Sequence, residues 1–187
     1  VDTFDLNANA VANGGDGDDV FNQTSGSGTI AGEAGIDTVA GPNAATTWDV
    51  TSNNTGNVTS GGITRAFNTM ETLQGGTAVD TFNLNGNIIA NGGNGDDQFN
   101  QTSGVGTIAG EVGNDTVTGP NAVTTWDVTS NGAGNVTSGG ITRAFNTMET
   151  TSGGTAVDTF NLTGNIIANG GNGDDRFNLT SGTGNIN

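Results

Sequence analysis

The chain has 187 residues, of which 34 are Gly, 31 Thr and 27 Asn, and 19 acidic against three basic residues give it a formal charge of −16. Cys, His, Tyr and Lys are absent, which excludes a disulfide framework, a thiolate nucleophile, a Cys-based zinc site and the commonest general base near neutral pH. The charge opposes phosphate backbones, no apolar run approaches the roughly 18 residues of a membrane span, and scarce helix formers argue against a helical bundle, so neither nucleic acid nor a membrane is an expected partner.

Val1 to Ala78 and Val79 to Ala156 are two copies of a 78-residue unit that differ at 15 positions, and a third copy runs from Val157 to Asn187. The chain is therefore read as one continuous repeat region with units 1–78, 79–156 and a partial 157–187. It opens without Met and stops partway through a unit, so it is expected to be an excerpt of a longer array. In the second copy, Gly-Asp clusters close at Asp80, Asp97 and Asp115, spaced by 17 and 18 residues, and the next closes 43 residues further on at Asp158.

The predicted strands of that copy, in chain order, are Thr81 to Leu84, Asn87 to Ala90, Gln98 to Asn100, Gly106 to Ala109, Thr124 to Val128 and Ile141 to Phe145. Each is short, rich in β-branched or aromatic residues, and bounded by Gly, Asn, Asp or Ser. Each offers a few alternating apolar residues, enough for a narrow core that only stacking can bury. This predicts an all-β parallel β-solenoid, a right-handed β-helix or β-roll, with about four coils per 78-residue unit. On this reading the 43-residue gap holds two longer coils, and a two-sheet roll and a three-sheet helix both remain open. Phe4, Phe21, Phe82, Phe99, Phe160 and Phe177 are expected to stack inside with Leu84, Ile108 and Val117, each burial contributing about 1.5–3 kcal/mol. Asn13, Asn91 and Asn169 share a unit position and are expected either to bond from coil to coil or to face solvent in turns.

Three segments fit G-G-x-G-x-D-x-U-x, where U is large and apolar: Gly14 to Asn22, Gly92 to Asn100 and Gly170 to Asn178. The pattern resembles the nonapeptide of RTX calcium-binding β-rolls. Full matches lie 78 residues apart, with degenerate forms at Gly32 to Asp37, Gly75 to Asp80 and Gly110 to Asp115. At most one edge of the solenoid is therefore expected to carry these turns, interrupted once per unit. Calcium takes 6–8 oxygens, so a site needs turns from neighbouring coils. The candidate metal ligands are Asp18, Asp19, Asp37, Asp80, Asp96, Asp97, Asp115, Asp158, Asp174 and Asp175. If Asp97 and Asp115 lie about 5–6 Å apart on adjacent coils, their charges repel by about 3 kcal/mol at an effective dielectric near 20. Either calcium lies between the coils or the carboxylates splay into water, and each Asp also suits capping of its own turn.

Other motifs carry less. The N-x-T sequons at Asn22, Asn57 and Asn135 mark surface turns at most. Trp48 and Trp126 are expected in the core, with stacking on sugar rings as the alternative. Arg65 and Arg143 are expected to pair with Glu71 and Glu149. Asp96 and Asp97 share one turn and recur in each copy, which does not suit an acid–base pair flanking a glycosidic bond. No catalytic or organic-cofactor residue is assigned.

Gly41 to Leu84, with TTWDV and the turn Asn68-Thr69-Met70-Glu71-Thr72-Leu73-Gln74-Gly75-Gly76 ahead of Asp80-Thr81-Phe82, resembles the repeats of very large secreted bacterial adhesins of the filamentous-haemagglutinin-like and RTX-like kinds. Thr151 replaces Leu73 in the second copy, so that position is not a fixed anchor. The resemblance implies an extracellular stalk or filament segment of a surface adhesin or biofilm matrix, stabilised by calcium. Its implied partners are neighbouring repeats, further copies stacked end to end, and a polysaccharide or cell-surface ligand. A carbohydrate- or ice-binding face is the alternative, and a glycan-degrading β-helix enzyme a weaker one.

Overall fold

The computed structural model describes all 187 residues as strands and tight turns, with no helix. The first unit forms β1 (Thr3–Leu6), β2 (Ala10–Asp16), β3 (Val20–Gln23), β4 (Gly28–Ala34), β5 (Thr38–Ala40), β6 (Thr46–Ser52), β7 (Thr55–Ser60), β8 (Ile63–Asn68) and β9 (Thr72–Gln74). The second forms β10 (Thr81–Asn85), β11 (Ile89–Asn94), β12 (Gln98–Ser103), β13 (Thr107–Val112), β14 (Thr116–Thr118), β15 (Thr124–Ser130), β16 (Ala133–Ser138), β17 (Ile141–Asn146) and β18 (Thr150–Ser152). The third adds β19 (Thr159–Leu162), β20 (Ile167–Asn169) and β21 (Arg176–Leu179). Sheet I has eleven strands in the spatial order β1-β3-β5-β9-β11-β13-β17-β16-β15-β19-β21, and sheet II has ten, β2-β4-β8-β7-β6-β10-β12-β14-β18-β20.

The chain alternates between the two sheets, and most neighbouring strands are parallel. Phe82 pairs with Phe99 and Phe99 with Val117, each one strand spacing on. Alternation along each strand sends Phe82 and Leu84 inward and Thr81 and Asn83 outward. The inner faces of both sheets feed one core cluster of 27 residues. The six Phe residues do not form a single column. They fall into Phe4–Phe21, Trp48–Phe82–Phe99 and Trp126–Phe160–Phe177, with neighbouring rings 4.7–5.8 Å apart and nearly parallel.

The columns are separate because one unit crosses the molecule seven times: β1, β2, β3, β4, β5, the block β6–β8, and β9. Seven is odd, so β1 lies in sheet I, its equivalent β10 in sheet II, and β19 again in sheet I. Successive units therefore face opposite ways. The seven crossings make three and a half circuits, not the four expected, because the 43-residue gap holds no two plain coils. It holds the antiparallel meander β15–β16–β17, equivalent to β6–β7–β8. The β7–β8 loop is Gly61-Gly62 with φ of 56° and 77°, the two-residue geometry that suits the strand twist.

Each meander inserts three strands in one sheet opposite two short strands in the other. In the first unit, β8, β7 and β6 separate β4 from β10, while β5 and β9 face them. In the second unit the three lie in sheet I, so the excess alternates and neither sheet outgrows the other.

β8 is reached from β7 and not from sheet I, so no sheet-crossing turn lies beside its first residues. The fully buried Arg65 side chain serves that edge. Its Nη1 donates to Ala10 O at 3.0 Å and its Nη2 to Ala8 O and Ser25 O at 2.8 and 3.2 Å. Arg143 likewise donates to Ile88, Gly86 and Ser103 carbonyls. The expected pairing with Glu71 and Glu149 is overturned, because the inward-facing arginines reach backbone carbonyls of earlier turns instead. Burial pulls the Arg143 pKa down to about 10, which still leaves it charged at neutral pH.

Two of the three Asn at the shared unit position bond from turn to turn, as one of the two expectations has it: Asn91 donates to Gln74 Oε1 at 3.1 Å, and Asn169 Oδ1 accepts from Asn187 at 2.9 Å. Asn13 pairs with Ala31 through the backbone alone. A second outward ladder was not expected: Asn100 donates to Asn83 at 2.9 Å and Asn83 to Asp49 at 2.6 Å. Replacing Arg143 by Met removes the side-chain donor from three backbone carbonyls, two of them in buried bonds, and is expected to cost about 1–3 kcal/mol in urea unfolding. Arg176→Met on the exposed strand β21 is the control, expected to change stability by less than about 0.5 kcal/mol.

Candidate functional site

Seven of the ten candidate Asp residues lie one per turn at the start of strands, and they join the turns into rails. The amide of Asp80 donates to Asp97 Oδ1 at 2.7 Å, that of Asp97 to Asp115 Oδ1 at 2.8 Å, and that of Asp115 to Glu149 Oε2 at 2.8 Å. Thr46 N starts this rail by donating to Asp80 at 2.8 Å. The first unit has the same series from Asp2 through Asp19 and Asp37 to Glu71. A third runs from Thr124 through Asp158 to Asp175. Each carboxylate thus accepts the amide of an earlier turn, which replaces the expected capping of its own turn. Only Asp80 and Asp158 also accept locally, from Gly76 and Gly154.

The partner acids work in the opposite direction. Asp96 Oδ1 accepts the amide of Asn114, and Asp18 Oδ1 that of Ile36, each 18 residues later. The Asp-Asp pair therefore ties a turn both backward and forward. No cross-turn bond involves Asp174. The first rail lies where the chain crosses from sheet II to sheet I, and the second where it crosses back. The edge switches with every unit, so both edges of the molecule carry rails, where at most one was expected. Opposite each rail, the turns use Asn: Asn87 Oδ1 accepts from Val105 and Asn53 Oδ1 from Asn87.

The second carboxylate oxygen, together with a backbone carbonyl of the neighbouring turn (Gly32, Thr69, Gly110 and Thr147 O), explains the leading glycine of the motif. Oδ2 of Asp19, Asp37, Asp97 and Asp115 is buried with no partner. It lies over the α-carbon of the glycine five residues earlier, Gly14, Gly32, Gly92 and Gly110 respectively, where a Cβ would overlap it. The third glycine has a different cause, since Gly95 has φ of 126°. In the degenerate turns Glu33 and Glu111 sit at φ of 73° and 71°, with their amides held by Thr69 and Thr147 hydroxyls.

Burial pushes the Asp97 carboxyl up to about 6, helped by the charges of Asp115, Asp80 and Asp96 and opposed by the Asp80 amide. Burial likewise raises Asp115 to about 6, with Glu149, Asp96 and Glu111 adding to it. Asp80 and Asp158 are also raised by burial. The carboxylates are dispersed along the rails, and no group of three or more gathers as a metal cluster.

Trp48 and Trp126 are fully buried against Phe82 and Phe160, so stacking on sugar rings is overturned. The outward Thr residues align better than the sequence suggests, because the antiparallel β7 and β8 bring Thr64, Thr59, Thr47 and Thr81 into one row before Gln98 breaks it. Gln23 and Gln101 were not singled out from sequence. Both are inward-facing and buried, and their one signal is a polar residue in register with Leu6 and Leu84. No known family model matches the chain, and no curated protein is significantly similar to it.

Gly92→Ala is expected to destabilise by about 1–3 kcal/mol through overpacking. In a double-mutant cycle Asp97→Ala should relieve part of that loss, and additive effects would contradict the contact. Carboxyls with raised folded pKa values bind protons more tightly folded than unfolded. Their contribution is complete below the unfolded value and is lost as pH rises through about 6. The melting temperature is therefore expected to rise between about pH 7.5 and about pH 5. Asp97→Asn keeps the acceptor for Asp80, and should raise the neutral-pH value and flatten the profile.

Proposed function

We propose that this chain is a segment of an extracellular rod, a parallel β-solenoid of two faces, in the stalk or filament of a secreted bacterial adhesin or biofilm matrix protein. Its work is to hold a distance and not to catalyse. The observation that carries this reading is the series of turn-to-turn bonds that recurs in every unit, which lets each near-identical unit extend the previous one. Two units add nine strands to each sheet, so at about 4.8 Å per strand one unit lengthens the rod by roughly 22 Å. The acidic surface, with two of three arginines buried, keeps such a rod soluble and discourages lateral association.

Calcium belongs to this reading as a stabiliser that would offset repulsion among the rail carboxylates. Tandem arrays of increasing unit number, measured by small-angle X-ray scattering, are expected to lengthen by about 22 Å per unit at constant cross-section. Growth in all three dimensions would refute the rod. Melting followed by circular dichroism with calcium and with a chelator tests the ion separately. An unchanged melting temperature and no bound metal would remove calcium and leave the rod.

A further inference from the structure

We propose that each complete unit carries a binding site for an uncharged glycan, in a groove beside its meander. The proposal stands apart from the rod reading. In the second unit the groove measures about 420 Å³ and runs between Gln101, Ser103, Pro120, Ser138 and Ile141. The first unit repeats it at about 260 Å³ with the equivalent Gln23, Ser25, Pro42, Ser60 and Ile63. Its origin is topological. The chain from β14 to β15 must climb past the Gly139-Gly140 hairpin, and the climb leaves a gap beside the β12–β13 turn. A second groove of about 530 Å³ along Asn53, Asn85 and Asn87 adjoins it, sharing Ser103 and Ile141. The larger grooves fall within the roughly 300–1,000 Å³ of small-ligand sites.

The Gln side chain marks this gap as a site. Gln101 is 4% and Gln23 2% exposed, each in a strand position that Leu6, Leu84 and Leu162 fill with apolar carbon. The Oε1 of both is buried without a partner. A buried amide left unsatisfied costs about 1–3 kcal/mol, so its presence in both complete units calls for a compensating contact. The third unit carries Leu179 at the same position.

The lining specifies the ligand's chemistry. In a molecule of charge −16 none of the three grooves is lined by a charged side chain. An amide offers one acceptor and two donors on adjacent atoms, which matches neighbouring hydroxyls of a pyranose. The serine hydroxyls add acceptors, and Pro120 and Ile141 offer apolar surface to ring C–H groups. Because units face opposite ways, successive sites open on opposite edges, so one array could engage two chains of a polysaccharide network.

The test is a ¹H–¹⁵N NMR titration of the whole chain with cellohexaose, maltohexaose, laminarihexaose and mannohexaose at millimolar concentration, with an alginate hexasaccharide as the acidic control. At least one neutral hexasaccharide is expected to shift the side-chain amides of both Gln23 and Gln101, and alginate neither. Gln101→Leu, the residue of the third unit, should abolish the ligand-induced shifts of the backbone amides of Ser103, Ser138 and Ile141 in its own groove and leave the Gln23 response intact. The same spectra report whether the fold is kept. The proposal is overturned if no neutral hexasaccharide shifts either amide, if only alginate does, or if the Gln23→Leu/Gln101→Leu double variant responds unchanged.

Discussion

A stack of strands satisfies its own backbone, but its turns do not. Where the chain leaves one sheet for the other, the amide at the start of each strand points along the stack with no ladder partner. An unpaired buried amide is among the costliest things a fold can contain. Here the carboxylate of a later turn accepts it, so Asp97 serves Asp80 and Asp115 serves Asp97. The solution carries its own cost, because it lines up buried acids one strand spacing apart. Raised pKa values at Asp97 and Asp115 are the physical signature of that compromise. The second unit's rail ends where the compromise can be released, on the Thr46 amide at one end and the longer Glu149 at the other, and the first unit's rail likewise closes on Glu71, whose Oε1 turns to Asn54.

Odd parity shapes the rest. Seven crossings per unit turn each copy by half a circuit, which moves the rail, the arginine and the groove to the opposite side. The meander would force one sheet ahead of the other if it always fell on the same side. Alternation cancels that excess over two units. Arg65 and Arg143 belong to the same solution, since a strand reached through a hairpin lacks the sheet-crossing turn that would otherwise cover the carbonyls below it.

The 17- and 18-residue spacings made one circuit legible, because an in-register stack must return each Asp and Phe to the same place. The inward alternation of Phe82 and Leu84 was equally plain. The meander was not, because Thr55 to Ser60 reads as one more short strand among many. The Ser60-Gly61-Gly62-Ile63 hairpin loop was the available signal. Missing it hid the parity, the opposed Thr row and the alternating edge. The arginine misreading had a different cause: Glu71 is near Arg65 in sequence, but the strand points them to different edges. The Asp residues stand out in the sequence as a set, but the amide that each carboxylate accepts does not, since sequence gives no direction for a carboxylate bond. Gln101 was invisible for a simpler reason, that a single Gln carries no pattern.

The most direct measurement is through-hydrogen-bond NMR correlation between backbone amide nitrogens and side-chain carboxyl carbons. The account predicts cross-peaks from the Asp80 amide to Asp97 Cγ, from Asp97 to Asp115 Cγ and from Asp115 to Glu149 Cδ. Cross-peaks only from a carboxylate to amides of its own turn, or none at all with rapidly exchanging Asp amides, would contradict it.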